Sequence, residues 1–288
     1  MEIKQRTRWK KVSKDGYQVV ENFLKARESL CVNASARFLS MQNMAEQDKR
    51  SHIWYIPCPE ESISSLLIHS RYSLFPVFGE NQGASCPAFL RRFFKVPVHS
   101  IQGLRKDVEN LETLMQIHGY FATERIDYEL MNIDAEPISG TLRSGPPGLK
   151  IRSPMPDDKE QLFALQSAYE KEEVLPKSAV FNPASCLYRL ENILSSERIL
   201  VAELDGKVVG KINTNAESFT RYQIGGVYVR PDYRNLGIGS KMIAVFSSSI
   251  LTLGKGITLF SKIENKAARK AYIKAGFDVL AYYRICYF

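Results

Sequence analysis

Apolar residues recur along the chain with two periods, which predict alternating helices and strands. Residues 16–38 carry them about every 3.6 positions, at Val19, Val20, Phe23 and Leu24 among others, and this spacing predicts a helix. Shorter apolar runs bounded by turn residues predict strands. In the first half the predicted strands lie at 52–56, 63–69, 72–78, 98–102 and 121–133, and the predicted helices at 87–94 and 104–117.

The second half alternates in the same way. Its predicted strands lie at 149–153, 198–203, 207–213, 223–229, 256–262 and 277–287. Its predicted helices run from Pro156 to about residue 171 and over 183–195, 239–253 and 266–275. Asp205-Gly206 between two strand runs predicts a tight hairpin, and Gly276 marks the end of the last helix.

A segment rich in Pro, Gly and Ser separates the two halves. Residues 137–148 have no apolar period, so we interpret them as a linker between domains at 1–136 and 149–288. Both halves end in the order strand, loop, helix, strand, helix, Gly-aromatic, strand, with Gly119-Tyr120 and Gly276-Phe277 in equivalent places. This weak repeat suggests that one α/β unit was duplicated.

Composition restricts the class of protein. The chain has 288 residues, of which 44% are hydrophobic and 24% charged, as in ordinary globular proteins. No apolar run approaches the ~18 residues of a membrane helix, and the first residues lack the apolar core of a signal peptide. The cysteines form no C-x-x-C pair and suit reduced core thiols. We therefore expect a cytoplasmic protein without a membrane partner.

Charge and histidine placement narrow the chemistry. The net charge is +8, with most of the excess after residue 148, which suits a phosphate-bearing ligand and equally suits weak contact with nucleic acid. His52, His69, His99 and His118 all lie in the first half without metal-ligand spacing. We therefore expect no metal, and a Ser-His-Asp or Cys-His catalytic group within the second half is excluded.

The sharpest local motif begins on the predicted strand 223–229. It reads Val227-Tyr-Val-Arg-Pro-Asp-Tyr-Arg-Asn-Leu-Gly-Ile-Gly-Ser240 and places Arg234, Gly237 and Gly239 at the start of a helix. Unpaired N–H groups and the helix dipole make such a start attract anions. Glycine lets a diphosphate approach the backbone closely. The pattern is neither a Walker loop nor the dinucleotide G-x-G-x-x-G fingerprint.

A second motif, Asn265-x-x-Ala268-x-x-x-Tyr272-x-x-x-Gly276-Phe277, follows the next strand. Asn265 is a good helix N-cap, and Ala268 and Tyr272 lie on one helix face. Together the two motifs resemble the GNAT superfamily of acyl-CoA-dependent N-acyltransferases over residues 149–288. The resemblance implies an α/β (α+β) fold of tandem GNAT-like domains, with mixed, mostly antiparallel sheets flanked by helices.

The resemblance also implies roles for the residues of the two motifs. The backbone of Val227 and Val229, with Tyr228 between them, would bind the pantetheine of acetyl-CoA, and Asn265 would lie beside it. Tyr272 would protonate the departing CoA thiolate. The CoA pyrophosphate would lie on the backbone of a loop that comprises Arg234, Asn235, Leu236, Gly237, Ile238, Gly239 and Ser240.

Other positions refine or depart from the family pattern. Gly225-Gly226 would allow the strand bulge that separates the family's central strands. Gln223 stands where many members carry a Glu and cannot take a proton. The general base therefore stays open among Glu172, Glu173, Glu217 and water.

The first half resembles a degenerate copy of the same domain. Its loop after Phe78 lacks the Arg-x-x-Gly-x-Gly pattern, and Glu80 within that loop would repel phosphate. Met115 stands at the place of Tyr272 and cannot donate a proton. We therefore interpret residues 1–136 as structural or substrate-shaping.

We expect an N-acetyltransferase that moves an acetyl group from acetyl-CoA to a primary amine of a small molecule or peptide, by direct attack in a ternary complex. The acceptor, the acyl chain length and the oligomeric state stay open. Two alternatives are a catalytically silent acyl-CoA-binding regulatory module and a tandem-domain transferase that uses aminoacyl-tRNA. The intact CoA loop argues against the second alternative and against nucleic acid as a partner.

Overall fold

The computed structural model describes residues 9–43, 51–58, 62–79, 97–135 and 145–288. Contacts divide the chain into two compact units, of which one is Leu130–Leu280 and the other joins Met1–Glu129 to Ala281–Phe288. The helix predicted at 87–94 lies outside the described residues, as do Glu80 and most of the predicted linker.

Helices and strands alternate through both units. The seven α-helices of the described residues are α1 (Tyr17–Lys25), α2 (Val32–Asn43), α3 (Arg105–Ile117), α4 (Lys159–Tyr169), α5 (Pro183–Ser196), α6 (Ile238–Leu251) and α7 (Lys266–Lys274). The twelve strands of the same residues are β1 (Lys10–Lys11), β2 (His52–Cys58), β3 (Ser62–Ser70), β4 (Ser73–Phe78), β5 (Ser100–Leu104), β6 (Glu124–Ile133), β7 (Lys150–Arg152), β8 (Ile199–Leu204), β9 (Lys207–Glu217), β10 (Arg221–Val229), β11 (Gly256–Lys262) and β12 (Asp278–Tyr287). The predicted elements that fall on described residues are therefore largely confirmed, with shifted ends.

One predicted helix is two helices. Residues 16–38 form α1 and the first part of α2, separated by a short 3₁₀ turn over Glu28–Leu30. The backbone leaves helical values at Arg27 (φ −126°) and at Cys31 (φ −139°). The expectation of a single helix is therefore wrong. The pattern could not show the break, because Leu24 of α1 and Phe38 of α2 are both buried and the helical period of apolar residues continues across it.

The first unit contains a mixed sheet that the end of the chain completes. Its strands lie in the order β1-β2-β3-β4-β5-β12, and β12 pairs antiparallel with β5 from Tyr283↔Leu104 to Tyr287↔Ser100. Contacts therefore place Ala281–Phe288 in this unit, whereas the sequence assigns these residues to a domain at 149–288. The functional domain boundary at 137–148 stays a prediction.

The second unit has the corresponding sheet, and its edge strand comes from the first half of the chain. The strand order is β6-β11-β10-β9-β8-β7, with Leu130–Ile133 of β6 in this unit. From β7 to β10, each strand pairs antiparallel with the next one along the chain, and β10 pairs parallel with β11. The predicted fold class of mixed, mostly antiparallel sheets flanked by helices is confirmed.

Helices cover both faces of the second unit's sheet. Helices α6 and α7 pack around a cluster that includes Phe246, Phe277 and Ala202 of β8. Helices α4 and α5 pack around another cluster, which includes Leu165 and Val201 of β8. Because adjacent strand residues point to opposite faces, Val201 and Ala202 identify the two sides of one sheet.

We expect Arg284→Ala to lower the free energy of unfolding by about 2–3 kcal/mol, since it leaves the partly buried carboxylate of Asp127 without its two hydrogen-bond donors. The Arg284 guanidinium is 12% exposed and donates to Asp127 at 2.6 and 2.8 Å and to Glu109 at 3.0 Å. Asp127 and Glu109 are 29% and 45% exposed, so solvent screening keeps the loss below that of a fully buried pair. The control is Arg105→Ala, which breaks an exposed pair with the same Glu109 and should cost about 0.5 kcal/mol. Equal losses in denaturant unfolding would contradict this role of Arg284.

Candidate functional site

Strands β10 and β11 separate after a short paired stretch. Their parallel register runs from Arg221↔Gly256 to Ile224↔Leu259 and has no further partners among the described residues. On its other side β10 stays paired with β9 as far as Val229↔Gly210. Residues 225–229 therefore have a paired strand on one side and, among the described residues, none on the other, and we call this unpaired side the gap.

A bulge at Gly225-Gly226 accompanies this separation. The β9–β10 register shifts between Gly225 and Tyr228, and Gly226 has φ +58°. Its N–H donates to the Tyr169 hydroxyl at 3.2 Å, and its C=O accepts from Lys211 Nζ at 3.1 Å. A Cβ at Gly226 would lie 1.9 Å from Asn213 Oδ1 and 2.7 Å from Lys211 Nζ, so the position requires glycine. The predicted bulge is confirmed.

The bulge leaves the polar backbone groups of Val227 and Val229 facing the gap. Arg230 N–H donates to Val209 O at 2.9 Å, and Tyr228 is in register with Lys211, so these two residues face β9. Backbone groups alternate along a strand, so Val227 and Val229, on either side of Tyr228, face away from β9. Val229 O accepts from Arg234 Nε at 3.0 Å. The binding roles of Val227, Tyr228 and Val229 stay predictions.

The loop after β10 leads into the start of α6. It contains two residues at positive φ, Asn235 (65°) and Gly237 (81°), and Gly237 is the N-cap of α6. The N–H groups of Ile238, Gly239 and Ser240 open the helix and have no acceptor within it. A Cβ at Gly239 would meet Val229 Cγ2 at 3.7 Å, an ordinary contact. The loop thus presents unpaired donors beside the gap, as an anion site needs.

Two neighbouring glutamates reach opposite rims of the gap. They lie in a π-helical turn, Glu170–Val174, that continues α4. Glu172 accepts from the Tyr228 hydroxyl at 2.5 Å and from Arg234 Nη2 at 2.8 Å. Burial raises the pKa of Glu172, but these two hydrogen bonds outweigh it and hold the pKa below its ordinary value. Glu172 is therefore ionised with its oxygens engaged, which makes it a weak base.

The other two candidate bases differ from Glu172 in their contacts. Glu173 accepts from Asn265 Nδ2 at 3.3 Å and lies 3.5 Å from Lys262 Nζ, on the β11 side of the gap. Glu217 is in register with Tyr222 and lies 3.7 Å from Lys255 Nζ, at the paired end of β10. The structure therefore brings Glu172 and Glu173 to the gap and leaves Glu217 away from it.

The second motif lies across the gap from the loop. Asn265 caps α7, accepting from Ala268 N–H at 3.0 Å. Tyr272 is 7% exposed, and its ring contacts Phe277 edge-on, with centroids 6.2 Å apart. Burial raises the pKa of Tyr272, and the charges of Tyr169 and Glu173 act in the same direction. The phenol therefore stays protonated at neutral pH, and burial makes it a weaker acid than an exposed tyrosine.

Gln223 lies where the two strands are still paired. It is buried, and its Oε1 has no hydrogen-bond partner within the described residues. Its register partner on β11, Thr258, is also buried with an unpartnered Oγ1 there. As the sequence indicates, an amide at this place cannot accept a proton.

Lys211 is the residue that the sequence reasoning missed. It is fully buried in β9, donates to Asn213 Oδ1 at 2.9 Å and to Gly226 O, and has no carboxylate within 4.0 Å among the described residues. Burial lowers the pKa of Lys211 to about 7, although Glu170 and Cys186 act in the opposite direction at longer range. The signal in the sequence is a lysine at the centre of an apolar strand.

We expect wild-type stability, relative to Lys211→Met, to rise with pH between about 7 and 10. An unfolded lysine has a pKa near 10.4 and stays protonated in this window, whereas folded Lys211 is largely neutral. The unfolded state binds one more proton, so the free energy of unfolding rises with pH. Denaturant unfolding at pH 7.5 and pH 9 should show the wild type gaining about 2 kcal/mol over the variant. A difference that does not change with pH would mean that Lys211 is charged in the folded protein.

The described residues limit what else the site can involve. They contain no group of three or more His, Cys, Asp or Glu side chains placed to hold a metal ion. None of their helices has both the length and the apolar content that crossing a membrane requires.

Comparisons with known proteins agree with this geometry. Residues 195–279 match a family model described as an acetyltransferase (GNAT) domain. No curated protein sequence matches the chain.

Solved structures share the fold along almost the whole chain. A GCN5-related N-acetyltransferase from Sphaerobacter thermophilus is 18% identical, with a TM-score of 0.62 over 99% of this chain and 96% of that one. A Drosophila protein is 12% identical, with a TM-score of 0.66 over 97% and 98%. A tandem GNAT protein from the clavulanic acid biosynthesis pathway is 9% identical, with a TM-score of 0.56 over 97% of both chains. Residues 195–279 therefore match a GNAT acetyltransferase domain, and the chain shares its fold with these three structures, one of which is a tandem GNAT protein.

Proposed function

We propose that the second unit transfers an acetyl group from acetyl-CoA to a primary amine by direct attack in a ternary complex. The observation that carries this proposal is the gap between β10 and β11, which opens beside the unpaired N–H groups at the start of α6. A polyanion with an extended arm fits such a site, because the arm can pair with a free strand edge while phosphates bind the helix start.

In this proposal the CoA pyrophosphate binds the backbone of residues 234–240. The pantetheine pairs with Val227 and Val229, whose polar groups face the gap, and Asn265 lies on the opposite rim. Tyr228 helps to hold this stretch of β10 in place, since its backbone faces β9 and its hydroxyl donates to Glu172. Arg234 supplies a positive charge near the phosphates, and at 43% exposed it can turn from Glu172 toward them.

The reaction needs a donor for the leaving thiolate and an acceptor for the amine proton. Tyr272 suits the first task because its buried phenol stays protonated. Glu173 or water suits the second, since the contacts of Glu173 at 3.3 and 3.5 Å are longer than those of Glu172. The amine attacks the thioester carbon and the C–S bond breaks, so that CoA leaves as thiolate. Tyr272 gives its phenolic proton to the thiolate, while Glu173 or water takes the proton that the amine loses.

The first unit has a structural or substrate-shaping part in this proposal. Met115, at the place of Tyr272, is fully buried among apolar residues. The acceptor is a small-molecule or peptide amine, and the expected compartment is the cytoplasm. The silent acyl-CoA-binding module remains the second candidate, because the amide of Gln223 replaces a possible proton acceptor.

A panel of amines separates these two candidates. Release of CoA thiol from acetyl-CoA is measured with polyamines, amino acids, aminoglycosides and peptides, against a reaction without amine. A transferase gives amine-dependent release, and mass spectrometry shows an acetylated product. Tight CoA binding without amine-dependent release across the panel would instead favour the silent module.

We expect Gly239→Leu to weaken CoA binding at least about tenfold, which corresponds to about 1.4 kcal/mol. The side chain would project where the diphosphate approaches, while the fold should survive because a Cβ there makes only an ordinary contact. Isothermal titration calorimetry should give one CoA per wild-type chain. The control is Thr252→Leu, an exposed position just after the far end of α6. Unchanged affinity of Gly239→Leu would remove the loop from the site.

We expect Tyr272→Phe to lower kcat roughly 10–1000-fold while CoA affinity stays nearly unchanged. Phenylalanine keeps the ring packing on Phe277 and removes only the hydroxyl. Steady-state kinetics with the best amine of the panel gives kcat, and calorimetry gives the affinity. A variant with wild-type kcat would show that Tyr272 serves packing alone.

A further inference from the structure

Both polar backbone groups of Gly226 are held by side chains instead of a neighbouring strand. Tyr169, at the end of α4, accepts from the Gly226 N–H at 3.2 Å, and Lys211 of β9 donates to the Gly226 C=O at 3.1 Å. Buried backbone groups must find partners, so these two side chains permit the bulge to exist. The bulge in turn frees Val227 to face the gap.

The contacts of Lys211 Nζ leave room for both the neutral and the charged amine. A neutral lysine has two N–H donors and a lone pair, whereas the charged form has three donors. Asn213 Oδ1 and Gly226 O take two donors, and the Tyr169 ring lies 4.9 Å from Nζ in the remaining direction. A third N–H, present only in the charged form, would face this ring in a cation–π contact, with no carboxylate within 4.0 Å among the described residues.

The groups around Lys211 offer little compensation for a full charge. From α4 and its π turn, Tyr169 presents its ring, while Glu170 is bonded to Gln166 and to Arg189 of α5. Helix α5 also presents Cys186. Burial raises the pKa of its thiol, so the thiol stays protonated.

The two neighbouring strands likewise offer no compensating charge. On β10, Tyr228 lies in register with Lys211 and gives its hydroxyl to Glu172. On β8, the register partner is the apolar Val201.

We propose that Lys211 is a positioning residue of the acyl-transfer site, which acts through the Gly226–Val227 peptide and shifts that peptide when it is protonated. The inference rests on the proposed function for its catalytic meaning. A peptide group is planar and trans, so the Gly226 C=O and the Val227 N–H move together and point in opposite directions. Any shift of the carbonyl at Lys211 therefore re-aims the Val227 N–H in the gap.

The first test uses the ligand-free protein and needs no turnover. Amide NMR signals of Gly226 and Val227 are followed from pH 5.5 to 9 in the wild type, Lys211→Gln and Lys211→Met. We expect both signals to titrate together with a midpoint near 7 in the wild type and to stay flat in the two variants. The second half of the chain has no histidine that could imitate this titration. Lys207→Gln, an exposed position on the same strand, is the control that should keep it.

The second test reads turnover. Wild-type kcat should fall below pH 7, whereas Lys211→Gln should keep activity at pH 6 because its amide donates without titrating. Lys211→Met should lower kcat at pH 8 at least about tenfold, with the KM for acetyl-CoA within about threefold of wild type. A lysine with a merely structural role would leave the acid fall of kcat intact in both variants.

The outcomes of the two tests separate this inference from the proposed function. Wild-type amides that do not titrate, or a titration that survives in Lys211→Gln, would overturn the role of Lys211 even if thiol release is observed. Absent thiol release with a normal amide titration would count against the proposed function and leave the bulge assignment standing. Circular dichroism and CoA calorimetry confirm that each variant is folded.

Discussion

The structure of the second unit depends on which groups hydrogen-bond to the backbone N–H and C=O of one glycine, Gly226. In a regular sheet the N–H and C=O groups of a central strand pair with its neighbours, and strands held in this way cannot separate. At Gly226 both groups instead bond to side chains, Tyr169 and Lys211. The strand can therefore bulge without leaving buried polar groups unpaired. The gap between β10 and β11, the free edge at Val227 and Val229 and the approach to the α6 loop all follow from that bulge.

This arrangement has an energetic cost at neutral pH. A lysine buried without a carboxylate partner loses solvation that two neutral acceptors only partly replace, and its pKa falls to about 7 as a result. A methionine would fill the same space without that penalty, as in other proteins where apolar residues replace buried charges. A buried lysine at such a cost, beside a glycine at positive φ and next to the gap, fits a site where geometry is held for function.

Local features were predictable from the sequence because they depend on neighbouring residues. The hairpin at Asp205-Gly206 has positive φ at both residues, as the dipeptide predicts, and the helix after Gly237 begins one residue from its predicted start. The paired glycines likewise indicated the bulge. Periodicity could not reveal the break near Glu28, since apolar spacing continues across it.

Features built from distant residues could not be predicted in this way. Strand β12 pairs with β5, whose residues lie far earlier in the chain, and no local pattern specifies that partner. The burial of Lys211 depends on helices α4 and α5 covering β9. The partners of Glu172 are set by the π turn after α4, and its bonds to Tyr228 and Arg234 make it a weaker candidate base than the sequence could show.

Comparison with the first unit separates features that both units share through their fold from features that depend on particular side chains. Strands β4 and β5 also pair only briefly, at Ser73↔Ser100 and Leu74↔Ile101 in the described residues, and a cavity of about 840 Å³ lies beside them. There, however, the Phe78 N–H at the end of β4 donates at 3.2 Å to the carboxylate of Asp107 from α3. A short parallel pairing is thus common to both units, so it cannot by itself distinguish the site proposed in the second unit.

The carboxylate at the rim then decides what the first unit's opening can accept. Burial raises the pKa of Asp107 to about 6, and the hydrogen bond from Phe78 opposes that rise, so the group is mostly charged at neutral pH. A negative charge there repels a phosphate or a thiolate, and the rim N–H is already occupied. In the second unit the ionised carboxylate at the rim, Glu172, is paired with Arg234, and the start of α6 stays open. The second unit therefore keeps unpaired N–H donors at the start of α6, whereas in the first unit Asp107 occupies the Phe78 N–H at the end of β4.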